Sequence, residues 1–233
     1  QPFELNPHMP PEGQDIAEHI AQKYGSTPEQ LARTQEAIRA RGAELGFEFT
    51  EQDNEKLKGV SRMASLDILL SVGGLQLEDN VKQELAERKN NWYVEYISQM
   101  DASEILPGAL EFLQQCRANG LKTALGSASK NAPIILRNTG LTPYFDAIID
   151  GTRTTSAKPD PEVFLLGAAE LGVAPEACVV FEDAEAGIEA ARRAGMRCVG
   201  IGSPDTLGQA DRVVSSLGDV SITLLQQIAA SAE

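Results

Sequence analysis

The chain has 233 residues, 34 of them acidic and 20 lysine or arginine, for a net charge of −14. That field repels nucleic acid and anionic membranes, while an acidic protein can still bind a phosphorylated substrate where a few cations converge locally. The length suits one large α/β domain or a core with a small second domain, and no apolar run approaches a membrane span.

The opening residues Gln1-Pro2-Phe3-Glu4 have neither the basic nor the apolar region of a signal peptide. Cys116, Cys178 and Cys198 form no Cys-x-x-Cys pair and leave an odd count. Buried free thiols in a reducing cytoplasm are therefore the expectation.

Residues 1–44 read as an atypical first segment. Pro2, Pro7, Pro10 and Pro11 are unsuited to a central strand or a helix interior. Helical patterns follow at 15–24 and, after the cap signal Ser26-Thr27-Pro28, at 29–45. Residues 45–104 read as helical throughout and as a cap domain. Asp79 or Asn80 is placed to cap a long helix reaching about Met100, with Val81, Leu85, Trp92, Tyr96 and Ile97 at roughly helical spacing.

From residue 105 to the end the pattern alternates. Helices are predicted at 109–117, 132–138, 161–171, 185–194 and 222–230. Strands are predicted at 122–125, 147–150, 178–181, 198–201 and 213–214. Strands alternating with helices of this length indicate an α/β domain with a doubly wound parallel sheet.

Three motifs carry chemistry. Glu182 and Asp183 follow the apolar run Val179-Val180-Phe181, where a strand ends and a helix begins. An open α/β sheet places its ligand site at that edge, and paired carboxylates there suit a hard cation such as Mg²⁺. The plainer alternative is an Asp N-cap beside a solvated carboxylate. Gly126-Ser127-Ala128-Ser129-Lys130-Asn131 ends an earlier strand with small hydroxyl residues, whose N–H groups and hydroxyls suit an anion; an ordinary polar turn is the alternative. Lys158, ahead of Pro159-Asp160-Pro161, is either a fixed cation for a phosphoryl group or a solvated lysine before a helix. The serine loop, the lysine and the acidic pair each fall after a successive strand, which aims them at one crevice.

This ordered set resembles the haloacid dehalogenase superfamily, and within it the β-phosphoglucomutase group. The resemblance runs from about residue 45 to the end. It includes Leu57-Lys58-Gly59-Val60-Ser61-Arg62, the segment 84–90, Leu106-Pro107-Gly108 and the three motifs above. It implies a haloacid dehalogenase-like core with an α-helical cap. Ser127 and the Ala128 amide would hold the transferring phosphoryl group, Lys158 would neutralise it, and Glu182 and Asp183 would hold Mg²⁺. Arg62, with Ser129, Lys130 and Asn131, would grip the other phosphate of a small phosphosugar, and a guanidinium fork matches phosphate oxygens bidentately. Lys58 and Lys89 would add cap contacts, or be solvated helix charges. Cap closure would exclude water. A monomer is implied, with association if the core sheet lacks a strand.

The resemblance breaks at one place. The family's reaction uses an aspartate nucleophile and a second aspartate two residues on as acid/base, and no aspartate of this chain is followed two residues on by another. The nearest look-alike is Phe3-Glu4-Leu5-Asn6-Pro7. Glu4 shifts the carboxylate by a methylene, and Asn6 cannot exchange a proton as a carboxyl group does. Residues 1–49 instead resemble an internal segment of disulfide-oxidoreductase-A-like proteins of the thioredoxin superfamily, downstream of their catalytic cysteines.

The expectation is a β-phosphoglucomutase-like, Mg²⁺-dependent phosphosugar phosphotransferase scaffold with its covalent step impaired. A non-catalytic sugar-phosphate-binding or protein-interaction module is the alternative. A thiol oxidoreductase ranks last because no cysteine sits in a redox motif. His8 and His19 read as surface histidines.

Overall fold

The structure is a computed structural model that describes residues 50, 53, 56–57 and 60–230. The helices expected at 15–24 and 29–45, and the Phe3–Pro7 look-alike, lie outside these residues. The chain divides into a helical unit containing Arg62–Gln99 and an α/β unit that takes in everything from Met100 onward.

The helical unit holds α1 (Arg62–Val72) and α2 (Asp79–Ile97). Leu69 packs with Leu57, Leu66 and Val72, and Lys82 pairs with Asp67 at 2.8 Å to tie α2 to α1. Residues 73–77 are not helical, contrary to the expectation of helix throughout. Gly74 takes φ 63°, a left-handed conformation that stops a helix. Neither Asp79 nor Asn80 caps α2. Glu78 is its N-cap and offers no side-chain bond, while Asp79 is the first helical residue, where its charge favours the helix dipole.

In the α/β unit the elements are α3 (Ala109–Ala118), β1 (Ala124–Gly126), α4 (Ala132–Asn138), β2 (Ala147–Ile149), α5 (Glu162–Leu171) and β3 (Val179–Glu182). They continue with α6 (Glu185–Arg193), β4 (Arg197–Ile201), α7 (Pro204–Leu207), β5 (Arg212–Val214) and α8 (Ile222–Ala230). All pairing among the described residues is parallel. One ladder joins β1 to β2, with Ala124 opposite Ala147; the other runs β3–β4–β5, with Val179 opposite Arg197 and Val199 opposite Arg212. This is the doubly wound parallel arrangement expected from the alternation.

Successive strand residues face opposite sides of a sheet. Val180 packs with Ala168, Ile188 and Ala191, from α5 and α6. Its neighbour Phe181 packs edge-on against Phe112 of α3, ring centroids 5.0 Å apart, in the cluster with Val220 and Leu225. Helices therefore cover both faces. β1 begins two residues later than predicted, and the two residues before it spend their side chains on helix-end carbonyls. Lys122 donates to the Leu171 carbonyl at the end of α5 at 2.6 Å, and the Thr123 hydroxyl donates to the Tyr144 carbonyl at the end of a 3-10 turn. The short helix α7, capped by Ser203, has no counterpart in the sequence-based expectations. Among the described residues no helix is long and apolar enough to cross a membrane.

Gly108, just before α3, has φ 82°, and a Cβ there would collide with the backbone of Gly218. Left-handed strain alone costs about 1–3 kcal/mol for other residues. Gly108→Ala is therefore expected to lower the unfolding free energy by at least that much in a urea titration, and an unchanged midpoint would contradict this backbone approach. Cys198 is fully buried in β4, and burial, with Glu182 and Asp211 adding, pushes its thiol up to about 12. A folded value above the unfolded one means that the thiol's contribution is fully present below the ordinary thiol range and is lost as pH rises toward about 12. Between about pH 8 and pH 10.5, Cys198→Ala should remove up to about 2 kcal/mol of the alkaline loss in stability, read from paired urea titrations.

Candidate functional site

The carboxyl end of β1 runs into the loop Ser127–Asn131, whose hydroxyls organise its backbone. The Ser127 N–H donates to the Ile149 carbonyl at 2.9 Å. The Ser129 N–H donates to Ser127 Oγ at 3.1 Å, and the Asn131 N–H to Ser129 Oγ at 3.1 Å. Alternate amides are thus consumed. Those of Ala128 and Lys130 find no acceptor among the described residues. Because the Ser127 hydroxyl accepts from Ser129, its own proton remains available to donate. Two N–H groups and an O–H in one turn are an arrangement suited to an anion. Lys130 is exposed; Asn131 is buried and is the N-cap of α4.

Lys158 sits in the loop between β2 and α5, where the Glu162 carboxylate pins the chain. It accepts from the Thr155 N–H at 2.9 Å and the Ser156 N–H at 2.6 Å, and these bonds, that of Ser156 first, hold it below the usual carboxylate range. Asp160 accepts from the Glu162 N–H at 3.0 Å at the start of α5, and the Lys158-Pro159 bond is cis. Lys158 is 7% exposed, so it is not a solvated surface lysine. Its ammonium donates to the Gly126 carbonyl at 3.3 Å and to the Glu182 carboxylate, and lies 4.7 Å from the Phe164 ring centroid.

Glu182 ends β3 and is as buried as its partner, at 8% exposure. Its position follows from strand alternation. It shares a face with Val180, toward α6, and a Cβ on Gly187 in the first turn of α6 would collide with its carboxylate. Burial pushes the Glu182 carboxyl up, and the Lys158 ammonium only partly pulls it back. Asp183 follows directly. It is not the helix cap, because Ala184 holds that position and α6 has no side-chain cap bond.

The structure thus brings together Ser127, its loop, Lys158 and Glu182. Lys158 touches both Glu182 and the residue preceding Ser127. The two carboxylates have the donor type for a hard cation that keeps waters and takes phosphate oxygens. No third Asp, Glu, His or Cys completes a metal-holding group with them among the described residues. Arg62 opens α1 in the helical unit and donates to Asn90 Oδ1 at 2.5 Å. Lys58 and the side chain of Lys89 lie outside the described residues. Sequence reasoning overlooked the Gly126 carbonyl, Phe164 and Gly187 as parts of the site. A glycine inside the first helical turn, where it is a poor helix former, was a signal of close approach.

A family model for haloacid dehalogenase-like hydrolases matches residues 12–195. The chain is 41% identical over 186 residues to β-phosphoglucomutase of Bacillus subtilis, a match covering 79% of this chain and 82% of that protein. It is 32% identical over 166 residues to a phosphorylated carbohydrates phosphatase of Thermotoga maritima, covering 69% and 73%. The crystal structure of β-phosphoglucomutase from Clostridium difficile superposes with a TM-score of 0.78 at 34% identity, covering 94% of this chain and 92% of that one.

Removing one partner of a buried ion pair strands the other, at about 3–5 kcal/mol. Lys158→Met should therefore lower unfolding free energy by that order in metal-free buffer, and the double variant with Glu182→Gln should recover most of it. Additive losses in a urea double-mutant cycle would show that the pair does not act as one.

Proposed function

The chain belongs to the haloacid dehalogenase-like hydrolases, and on that premise we propose that it is a β-phosphoglucomutase-like, Mg²⁺-dependent phosphosugar phosphotransferase scaffold with a disabled covalent step. The observation that carries this reading is the buried Lys158, which links the serine-loop end of β1 to the carboxylate ending β3.

In this reading the Ser127 hydroxyl and the Ala128 amide hold the oxygens of the transferring phosphoryl group. Lys158 neutralises charge developing there, a fixed group that needs no reorganisation. Ser129, Lys130 and Asn131, with Arg62 from the cap, grip the second phosphate of the sugar. Lys58 and Lys89 assist from the cap, and residues 45–104 are that cap. Glu182 and Asp183 hold Mg²⁺, which when bound supplies positive charge to the phosphoryl oxygens.

The covalent step needs a carboxylate nucleophile and a proton-exchanging partner, and these 233 residues contain no Asp-x-Asp. Glu4 and Asn6 stand in the nearest similar pattern, but one is longer and the other does not titrate. We read residues 1–49 as related to the thioredoxin-superfamily segment they resemble and joined near 45–49 to the phosphomutase portion, although the family match already begins at residue 12. Removing a nucleophile leaves only what binding and electrostatics supply.

The chain is therefore expected to bind Mg²⁺ and glucose 6-phosphate, with turnover of β-glucose 1-phosphate at least about a thousandfold below that of an intact phosphomutase. A coupled assay for glucose 6-phosphate formation tests this, and turnover comparable to an intact enzyme would defeat the disabled-step reading. Arg62→Ala should abolish measurable glucose 6-phosphate binding in calorimetry. If the sugar phosphate never binds, a protein-interaction module becomes the better reading.

A further inference from the structure

We infer that the turn Asp150-Gly151-Thr152, at the carboxyl end of β2, is the positioning element that sets the anion-holding shape of the Ser127–Asn131 loop. The inference rests on the phosphate-binding role proposed above and assigns residues to it that lie outside its motifs.

The end of β2 and the turn together meet the loop at four consecutive residues. Ile149, the last residue of β2, accepts the Ser127 N–H at 2.9 Å, and the Gly151 N–H donates to the Ser129 carbonyl at 3.2 Å. A Cβ on Gly151 would collide with the Ala128 carbonyl oxygen and would stand 3.1 Å from the Lys130 nitrogen. Gly151 has no positive φ, so glycine is required there for space. The two amides that find no acceptor, those of Ala128 and Lys130, belong to the residues packed on this glycine.

Asp150 fixes the turn from beneath. The residue is buried, at 7% exposure, and Oδ1 accepts from the Thr152 N–H at 2.8 Å and the Thr152 hydroxyl at 2.6 Å. The Arg153 N–H donates to the Asp150 carbonyl at 3.0 Å and closes the four-residue turn. An Asx bond inside a β-turn sets the direction of the middle residues, here Gly151. Arg153 extends the anchor by donating to the Ile148 carbonyl at 3.1 Å and pairing with Glu170 at 2.6 Å. The loop is therefore seated on β2 and its following turn, and a small displacement of that seat redirects the Ala128 and Lys130 N–H groups together.

The test uses the full chain, with Mg²⁺ and glucose 6-phosphate as separate calorimetric probes. Asp150→Ala should weaken glucose 6-phosphate binding roughly tenfold or more and leave the Mg²⁺ affinity unchanged. Asp150→Asn keeps the acceptor and should stay within about twofold of the parent. A merely structural role would lower both affinities, and a parent-like Asp150→Ala would overturn the inference. If the parent itself binds no glucose 6-phosphate, the proposed function falls, and the seat is judged by amide exchange. Faster exchange at Ala128 and Lys130 in Asp150→Ala, restored in Asp150→Asn, supports it; unchanged exchange refutes it. Gly151→Ala, if it folds, should show the same selective loss.

Discussion

The arrangement around which this core is organised is a buried ion pair, Lys158 with Glu182. Both side chains are nearly removed from water, and a lone charge in that position would be strongly unfavourable. Several neighbouring choices serve the pair. Gly187 leaves room for the carboxylate, Phe164 lies beside the ammonium, and the Glu162 carboxylate staples the loop that delivers the lysine. The described strands fall into two ladders, and Lys158 contacts the end of one strand from each. The pair therefore joins parts of the sheet that no described strand pairing connects.

A chain of net charge −14 is an unpromising host for a phosphorylated ligand. The local arrangement answers this without a basic surface. The Ala128 and Lys130 amides and the Ser127 hydroxyl are neutral dipoles, and they add no charge that the acidic field must tolerate. One buried cation stands beside them, its charge screened by salt and solvent far less than surface charges are. Such a site can favour an anion at short range even though the molecule repels anions at long range.

The core was legible because its grammar is local. From Ala109 onward, apolar strand runs alternate with helical patterns, and the observed boundaries fall within about two residues of those expected. Both Glu182 and Ser127 could be placed at strand ends for the same reason. The misplacements have physical causes. Lys122 and Thr123 look like strand residues but spend their side chains on helix-end carbonyls, and Glu78 rather than Asp79 precedes α2. Within the site, contacts between residues distant in sequence were not legible. Nothing near Lys158 announces that it is buried against Glu182, 24 positions away, and nothing near Gly151 announces the Ala128 carbonyl packed on it.

An ammonium group carries three N–H donors in a tripod. Lys158 commits two of them, one to the Gly126 carbonyl and one to Glu182. At most one leg is left for a ligand, and its direction follows from the other two by tetrahedral geometry. The lysine therefore acts as an aimed donor whose bearing is set before any ligand arrives, by one backbone carbonyl on β1 and one carboxylate on β3. A planar guanidinium could not reproduce that tripod, so the choice of lysine here reflects geometry as well as charge.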